Sequence, residues 1–88
     1  MKKYTFLADY KGGTYISQYS ADNLKEALFL WGSNLALEYF KEKEKRKILE
    51  QIEVGEFPPS PIDGIDSVWF DHYSIYGNSL FLNIVETV

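Results

Sequence analysis

From Tyr4 to Ser20 the chain alternates: one set of positions holds Tyr4, Phe6, Ala8 and Tyr10, then Tyr15, Ser17 and Tyr19, while the other set is mixed. Period-two patterning of aromatic and β-branched residues predicts two strands, Tyr4 to Tyr10 and Thr14 to Ser20. Gly12-Gly13 between them permits the positive φ angles of a tight hairpin turn. A two-residue loop there sets Tyr10 opposite Tyr15, Ala8 opposite Ser17 and Phe6 opposite Tyr19. Thr5, Leu7, Asp9, Ile16, Gln18 and Ser20 tolerate water on the reverse face, so the tyrosines are expected to point inward.

At Asn23 the period changes to three and four. Leu24, Ala27, Leu28, Trp31, Leu35 and Tyr39 form one apolar stripe, widened by Phe29, Leu30, Leu37 and Phe40. Asn23 with Glu26 three residues on is a variant of the capping box, and it places a helix start there. Gly32-Ser33-Asn34 interrupts good helix formers and predicts a kink or break. The run Lys41 to Lys47 holds no apolar residue, which predicts a solvent-facing stretch, before Ile48, Leu49 and Ile52 resume helical spacing. A single helix from Leu24 to Val54 would reach roughly 45 Å, too long for a domain of this size. Two helices joined near Phe40 to Glu44 are predicted instead, the second ended by Gly55 in a left-handed conformation.

Phe57-Pro58-Pro59-Ser60-Pro61 reads as an extended crossing, because proline removes donors and keeps its predecessor out of the helical region. Ser67 to Tyr76 and Ser79 to Val88 then alternate about the turn pair Gly77-Asn78. In that register Trp69, Tyr73 and Ile75 share a face with Leu80, Leu82 and Ile84, and Val68, Phe70, Phe81 and Val85 share the other. A last strand apolar on both faces is expected in the middle of the sheet, beside the first strand. The predicted architecture is α+β: a four-stranded antiparallel sheet from two hairpins in ββααββ order, with two helices on one face. At 88 residues, positions 1–88 are expected to form a single domain.

Composition narrows the class. Apolar residues make up 45% of the chain, too much for a disordered segment, and there is no cysteine for a disulfide or thiolate site. The amino-terminal Met1-Lys2-Lys3 runs into an alternating segment, and no window approaches a membrane span. A cytosolic bacterial protein is expected, with no membrane and no nucleic acid among its partners. Charge is unevenly laid out. Residues 1 to 47 hold nine cations against six carboxylates, a balance of +3, whereas residues 48 to 88 hold seven carboxylates and no cation, a balance of −7. Such polarity orients encounters with charged partners over about a Debye length, ~8 Å at physiological salt.

No motif fixes a reaction. His72 is the sole histidine; its neighbours Asp71 and Tyr73 point to the opposite strand face, and the predicted register gives it only Asn83, too little for a general base. Asp63, Asp66, Asp71 and His72 do not follow the EF-hand spacing, so neither metal nor cofactor is expected. Asp71 falls among Trp69, Tyr73 and Ile84, where an unpaired carboxylate is costly. The tyrosine stripe lacks the interleaved cations of single-strand binders, and Gly12-Gly13 lacks the GxxxxGK pattern of a phosphate loop. The Lys41 to Lys47 block reads as a solvated surface. The segment of strand, glycine turn, strand and then Asn23-Leu24-Lys25-Glu26-Ala27-Leu28 resembles the strand-to-helix part of HicB-type antitoxins, over less than a third of the chain and without that family's third strand. The resemblance implies a small dimeric domain that binds a basic toxin.

The expected function is therefore non-catalytic: a protein-interaction or regulatory module, antitoxin- or immunity-like, whose acidic half meets a basic partner through Glu50, Glu53 and Glu56. Self-association as a homodimer is expected from the opposed charges and from strand edges that need pairing. The alternative is a small-ligand binder or minor enzyme with a pocket near Trp69, Asp71 and His72.

Overall fold

Two turns, each a large residue followed by glycine, set the sheet. Lys11-Gly12 has φ of 49° and 79°, and Tyr76-Gly77 has φ of 48° and 83°. Positive φ at both central positions is the type I′ geometry, whose twist matches that of the flanking strands. Strand β1 (Lys2–Tyr10) thus closes onto β2 (Gly13–Ala21) with Tyr10 opposite Gly13. Strand β4 (Val68–Ile75) closes onto β5 (Asn78–Thr87) with Ile75 opposite Asn78. Both turns lie one residue earlier than the sequence predicts, so both registers move by two. Ala8 faces Tyr15, Phe6 faces Ser17 and Tyr4 faces Tyr19. A slip of two keeps every side chain on its predicted face.

The structure, a computed structural model, describes residues 1–55 and 58–87. It corrects the strand count: the antiparallel sheet has five strands, ordered β2-β1-β5-β4-β3, where β3 is Ser60–Pro61. Ser60 pairs with Phe70 and Pro61 with Trp69, so the proline crossing ends as a short edge strand, a position proline tolerates. Phe57 of that crossing lies outside the described residues. Strand β5 sits beside β1, as its two apolar faces predict.

Helix α1 (Leu24–Ser33) begins as its capping signal requires, with the Glu26 amide donating to the Asn23 side chain at 2.9 Å. Glu26 reaches back one residue further than a standard box and accepts from the Asp22 amide at 3.1 Å. The helix ends at Ser33 with Asn34 as its cap, within the predicted break at Gly32-Ser33-Asn34, so Leu35 and Tyr39 belong to a turn-rich link beyond it. Helix α2 (Glu42–Val54) follows and ends at Gly55, φ 61°. Gly32 serves close packing. A Cβ there would stand 2.9 Å from both the Ile52 and the Leu49 side chains, so its absence lets the helices approach.

Both helices cover the tyrosine face of the sheet. Trp31 stacks between Phe6 and Tyr73, at 5.8 and 6.0 Å between ring centroids, while Phe40 from the link stacks on Tyr10 at 5.4 Å. Burying this much aromatic area is the main stabilising term, a few kcal/mol for each large ring. No helix of the described residues is long and apolar enough to cross a membrane.

Candidate functional site

The most constrained polar group lies in the run predicted to face solvent. Glu44, only 4% exposed, is the sole charged side chain buried among the described residues. It occupies the third position of α2, one turn before Ile48 and two before Ile52, which places it on the buried stripe. One carboxylate oxygen accepts from the Lys41 amide at 2.9 Å. The other accepts from the Tyr10 hydroxyl, and from the Lys11 ammonium at 3.0 Å. Burial pushes the Glu44 carboxyl up, but the Tyr10 hydroxyl, the Lys41 amide and Lys11 outweigh it and hold the group at about 2. Burial, then Glu44, pushes the Tyr10 phenol well above its ordinary value. With every strong partner engaged, this cluster joins the first hairpin to α2. It is a structural clasp, and it corrects the prediction that the whole Lys41 to Lys47 stretch faces water.

Of the predicted binding residues, Glu50, Asp71 and His72 line one groove of about 320 Å³ between α2 and β4, with Lys47, Gln51 and Tyr73. Glu53, one turn on from Glu50, faces a different groove of about 730 Å³ with Met1, Phe29 and Leu30. Trp69 lines neither: it packs on Tyr4 at 6.2 Å and belongs with the core. Glu56 lies outside the described residues. Thus the predicted pocket near Trp69, Asp71 and His72 loses its tryptophan and gains Glu50.

Asp71 is half-buried, and its carboxylate accepts from the His72 backbone amide at 2.8 Å. That bond gives the carboxylate a partner at the sheet margin, where water also reaches it. His72 stands opposite Phe81, not Asn83, and stacks on it at 5.2 Å on the helix-free face. Asp63, Asp66, Asp71 and His72 do not converge; among the described residues no three metal-ligating side chains gather.

Sequence reasoning missed Tyr73. Its hydroxyl is buried, and no described group bonds it. Burial, then the charge of Asp71 and hydrogen bonding toward its carboxylate, pushes the phenol well up; the carboxylate stands beside the hydroxyl without completing a bond of ordinary geometry. A cavity of about 310 Å³ between the helices and β4 has Tyr73, Asp71, Gln51, Leu28, Ile52 and Pro59 on its walls. A side-chain donor beside a carboxylate and an amide on apolar walls can orient a small polar molecule.

Charge on α2 follows the helix dipole at its start and opposes it at its end. The first turn carries Glu42 and Glu44, but Glu50 and Glu53 sit toward the negative end, with no basic residue in the last turn. Both are exposed, and neither forms an ion pair among the described residues. Glu53 stands in the last turn, where a carboxylate costs about 0.3–1 kcal/mol, and Glu50 just before it, where the dipole acts more weakly. No family model matches the chain, and no curated protein or solved structure matches it.

Proposed function

We propose that the chain is a non-catalytic interaction module whose carboxylate-bearing end of α2 engages a basic protein partner in the cytosol. The observation that carries this reading is the placement of Glu50 and Glu53: both exposed, both unpaired among the described residues, and Glu53 opposed to the helix dipole. Groups that weaken their own helix without stabilising the fold suit a surface kept for recognition. A basic side chain arriving at this helix end meets both the carboxylates and the carbonyls of the last turn, so charge complementarity would raise the association rate and make it salt-dependent. Co-purification from the source cell tests it. The triple variant Glu50→Lys, Glu53→Lys, Glu56→Lys is expected to lose basic partners that the parent retains at low salt, with its circular dichroism unchanged. Equal capture by parent and variant refutes the reading.

A second reading, a small-ligand binder, is favoured by the unpartnered Tyr73 hydroxyl in its cavity beside Asp71. Trp31 stacks on Tyr73, so a ligand at that hydroxyl changes tryptophan emission. A screen of small polar compounds and metal ions that leaves the emission of parent protein unchanged sinks it.

A further inference from the structure

The two edges of the sheet are treated differently. At the β4 edge every outward-facing residue has at least one backbone group engaged. The Val68 carbonyl accepts from the Ile62 amide at 3.1 Å, Phe70 pairs with Ser60, the His72 amide donates to Asp71, and the Ser74 carbonyl accepts from Gln51 at 3.0 Å. Proline at β3 blunts what remains.

Strand β2 has none of this protection. The closing pair Tyr10 and Gly13 of a two-residue hairpin exchanges both backbone bonds, so Gly13, Tyr15, Ser17, Tyr19 and Ala21 bond inward to β1. Thr14, Ile16, Gln18 and Ser20 therefore direct their amides and carbonyls away from the sheet. Among the described residues no hydrogen bond reaches those groups. From Gly13 to Ala21 the strand has no charge, no proline and no bulge. Ile16 is 65% exposed. A nine-residue neutral edge rich in β-branched and aromatic side chains is a template for another strand.

We propose that β2 pairs antiparallel with β2 of a second copy about a two-fold axis at Ser17, joining the two sheets into one. Register follows from the alternation. Only residues that face outward can exchange bonds, so Thr14 must meet Thr14, Ile16, Gln18 or Ser20 of the partner. The register centred on Ser17 pairs Thr14 with Ser20 and Ile16 with Gln18, each twice, and engages all four outward residues in about eight backbone bonds. Every other two-fold register leaves some unpaired. Side chains agree with it. On the helix side, half-buried Tyr15 comes beside the partner's Tyr19. On the open side, the row through Thr14 starts at Asp9 and ends beyond Ser20 at the partner's Lys3, so opposite charges occupy its two ends. An isologous contact of this kind closes on itself and leaves only the protected β3 edges outside.

Light scattering after size exclusion is expected to give twice the chain mass at ~100 µM, at low and at high salt, because the seam is backbone-bonded rather than ionic. Ile16→Pro removes an outward donor without touching a bond to β1, and Ile16→Lys puts like charges across the seam. Each is expected to give the single-chain mass with circular dichroism unchanged. Should the proline variant fail to fold, the lysine variant decides. The chain has no cysteine, so Ser17→Cys supplies a lone thiol facing its own copy across a non-hydrogen-bonded pair, about 4.5 Å between Cα atoms. Mild oxidation should link it rapidly and leave Ser74→Cys, at the opposite edge, unlinked. A parent of single-chain mass overturns the proposal, as does a dimer that survives Ile16→Lys or fails to link through Ser17→Cys. Because Ile16 and Ser17 line no groove with Glu50 or Glu53, loss of the dimer and loss of a basic partner are separate results.

Discussion

Glutamine in place of Glu44 keeps the shape and removes the charge. In the parent one oxygen holds the Lys41 amide and the other holds Tyr10 and Lys11. Glutamine has a single acceptor oxygen. If it stays on the Lys41 amide, the NH2 group faces the Tyr10 hydroxyl, and Lys11 loses its acceptor. The shift of the carboxyl from an ordinary 4.5 to about 2 corresponds by linkage to about 3 kcal/mol, reduced to about 2 kcal/mol because Lys11 is half-exposed and screened. A folded-state value below the unfolded one means the contribution is complete above about pH 5 and is lost as pH falls toward 2. Urea denaturation followed by circular dichroism, from pH 7 down to pH 2.5, measures it. Glu44→Gln is expected to be less stable by about 2 kcal/mol at pH 7, roughly 8–16 °C in Tm for a domain of this size. The gap should close toward pH 2.5. Equal stability at pH 7, or a gap that does not change with pH, refutes the account of Glu44 as an ionised clasp. A double-mutant cycle with Tyr10→Phe separates the phenol from the rest, with an expected coupling of about 1–2 kcal/mol.

Tyr73→Phe removes a buried donor that no described group accepts, so thermal denaturation should find it neutral or up to about 1 kcal/mol more stable; a loss above that would show that the hydroxyl has a strong partner. Tyr76 adopts φ 48° in its turn, and Tyr76→Asn supplies the residue type that tolerates this region. It is expected to stabilise the second hairpin by about 0.5 kcal/mol, less the contact of Lys43 with the Tyr76 ring, and a lower Tm would argue against the turn assignment. Gly12→Ala meets no steric neighbour but must hold φ 79°, so chemical denaturation should show a loss of about 1–2 kcal/mol.

Strand faces were legible because side-chain direction has a period of two, and the slip at each turn was also two. The turns themselves were not. Lys11-Gly12 and Gly12-Gly13 both satisfy a turn preference, as do Tyr76-Gly77 and Gly77-Asn78, and local composition cannot choose between them. Packing chooses. Gly13 begins β2 under the Tyr15 ring, where a Cβ would stand 2.6 Å from the hydroxyl, so its bareness serves the strand rather than the turn. Gly32 carries a second role: the break predicted at Gly32-Ser33-Asn34 is where α1 ends, and the same glycine is an approach point between helices. The short β3 strand was hidden by its own proline, because an edge strand of two residues has no period to read.

Glu44 marks the limit of reading charge as exposure. A run of seven residues without an apolar side chain assigns every member to water, and for Glu42 and Lys43 the assignment holds. Yet Glu44, Ile48 and Ile52 stand at intervals of four, so the stripe that buries the isoleucines passes through the carboxylate too. A buried carboxylate is tolerated only with partners. The inward-facing Tyr10 hydroxyl, which itself needs an acceptor, and Lys11 beside it supply them from the far end of the first hairpin. Neither half of that cluster makes sense alone: a tyrosine on an apolar face reads as core, and a glutamate in a lysine run reads as surface. The spacing was in the sequence, but its meaning depends on the hairpin bringing residues 10 and 44 together, a long-range contact that no local period encodes.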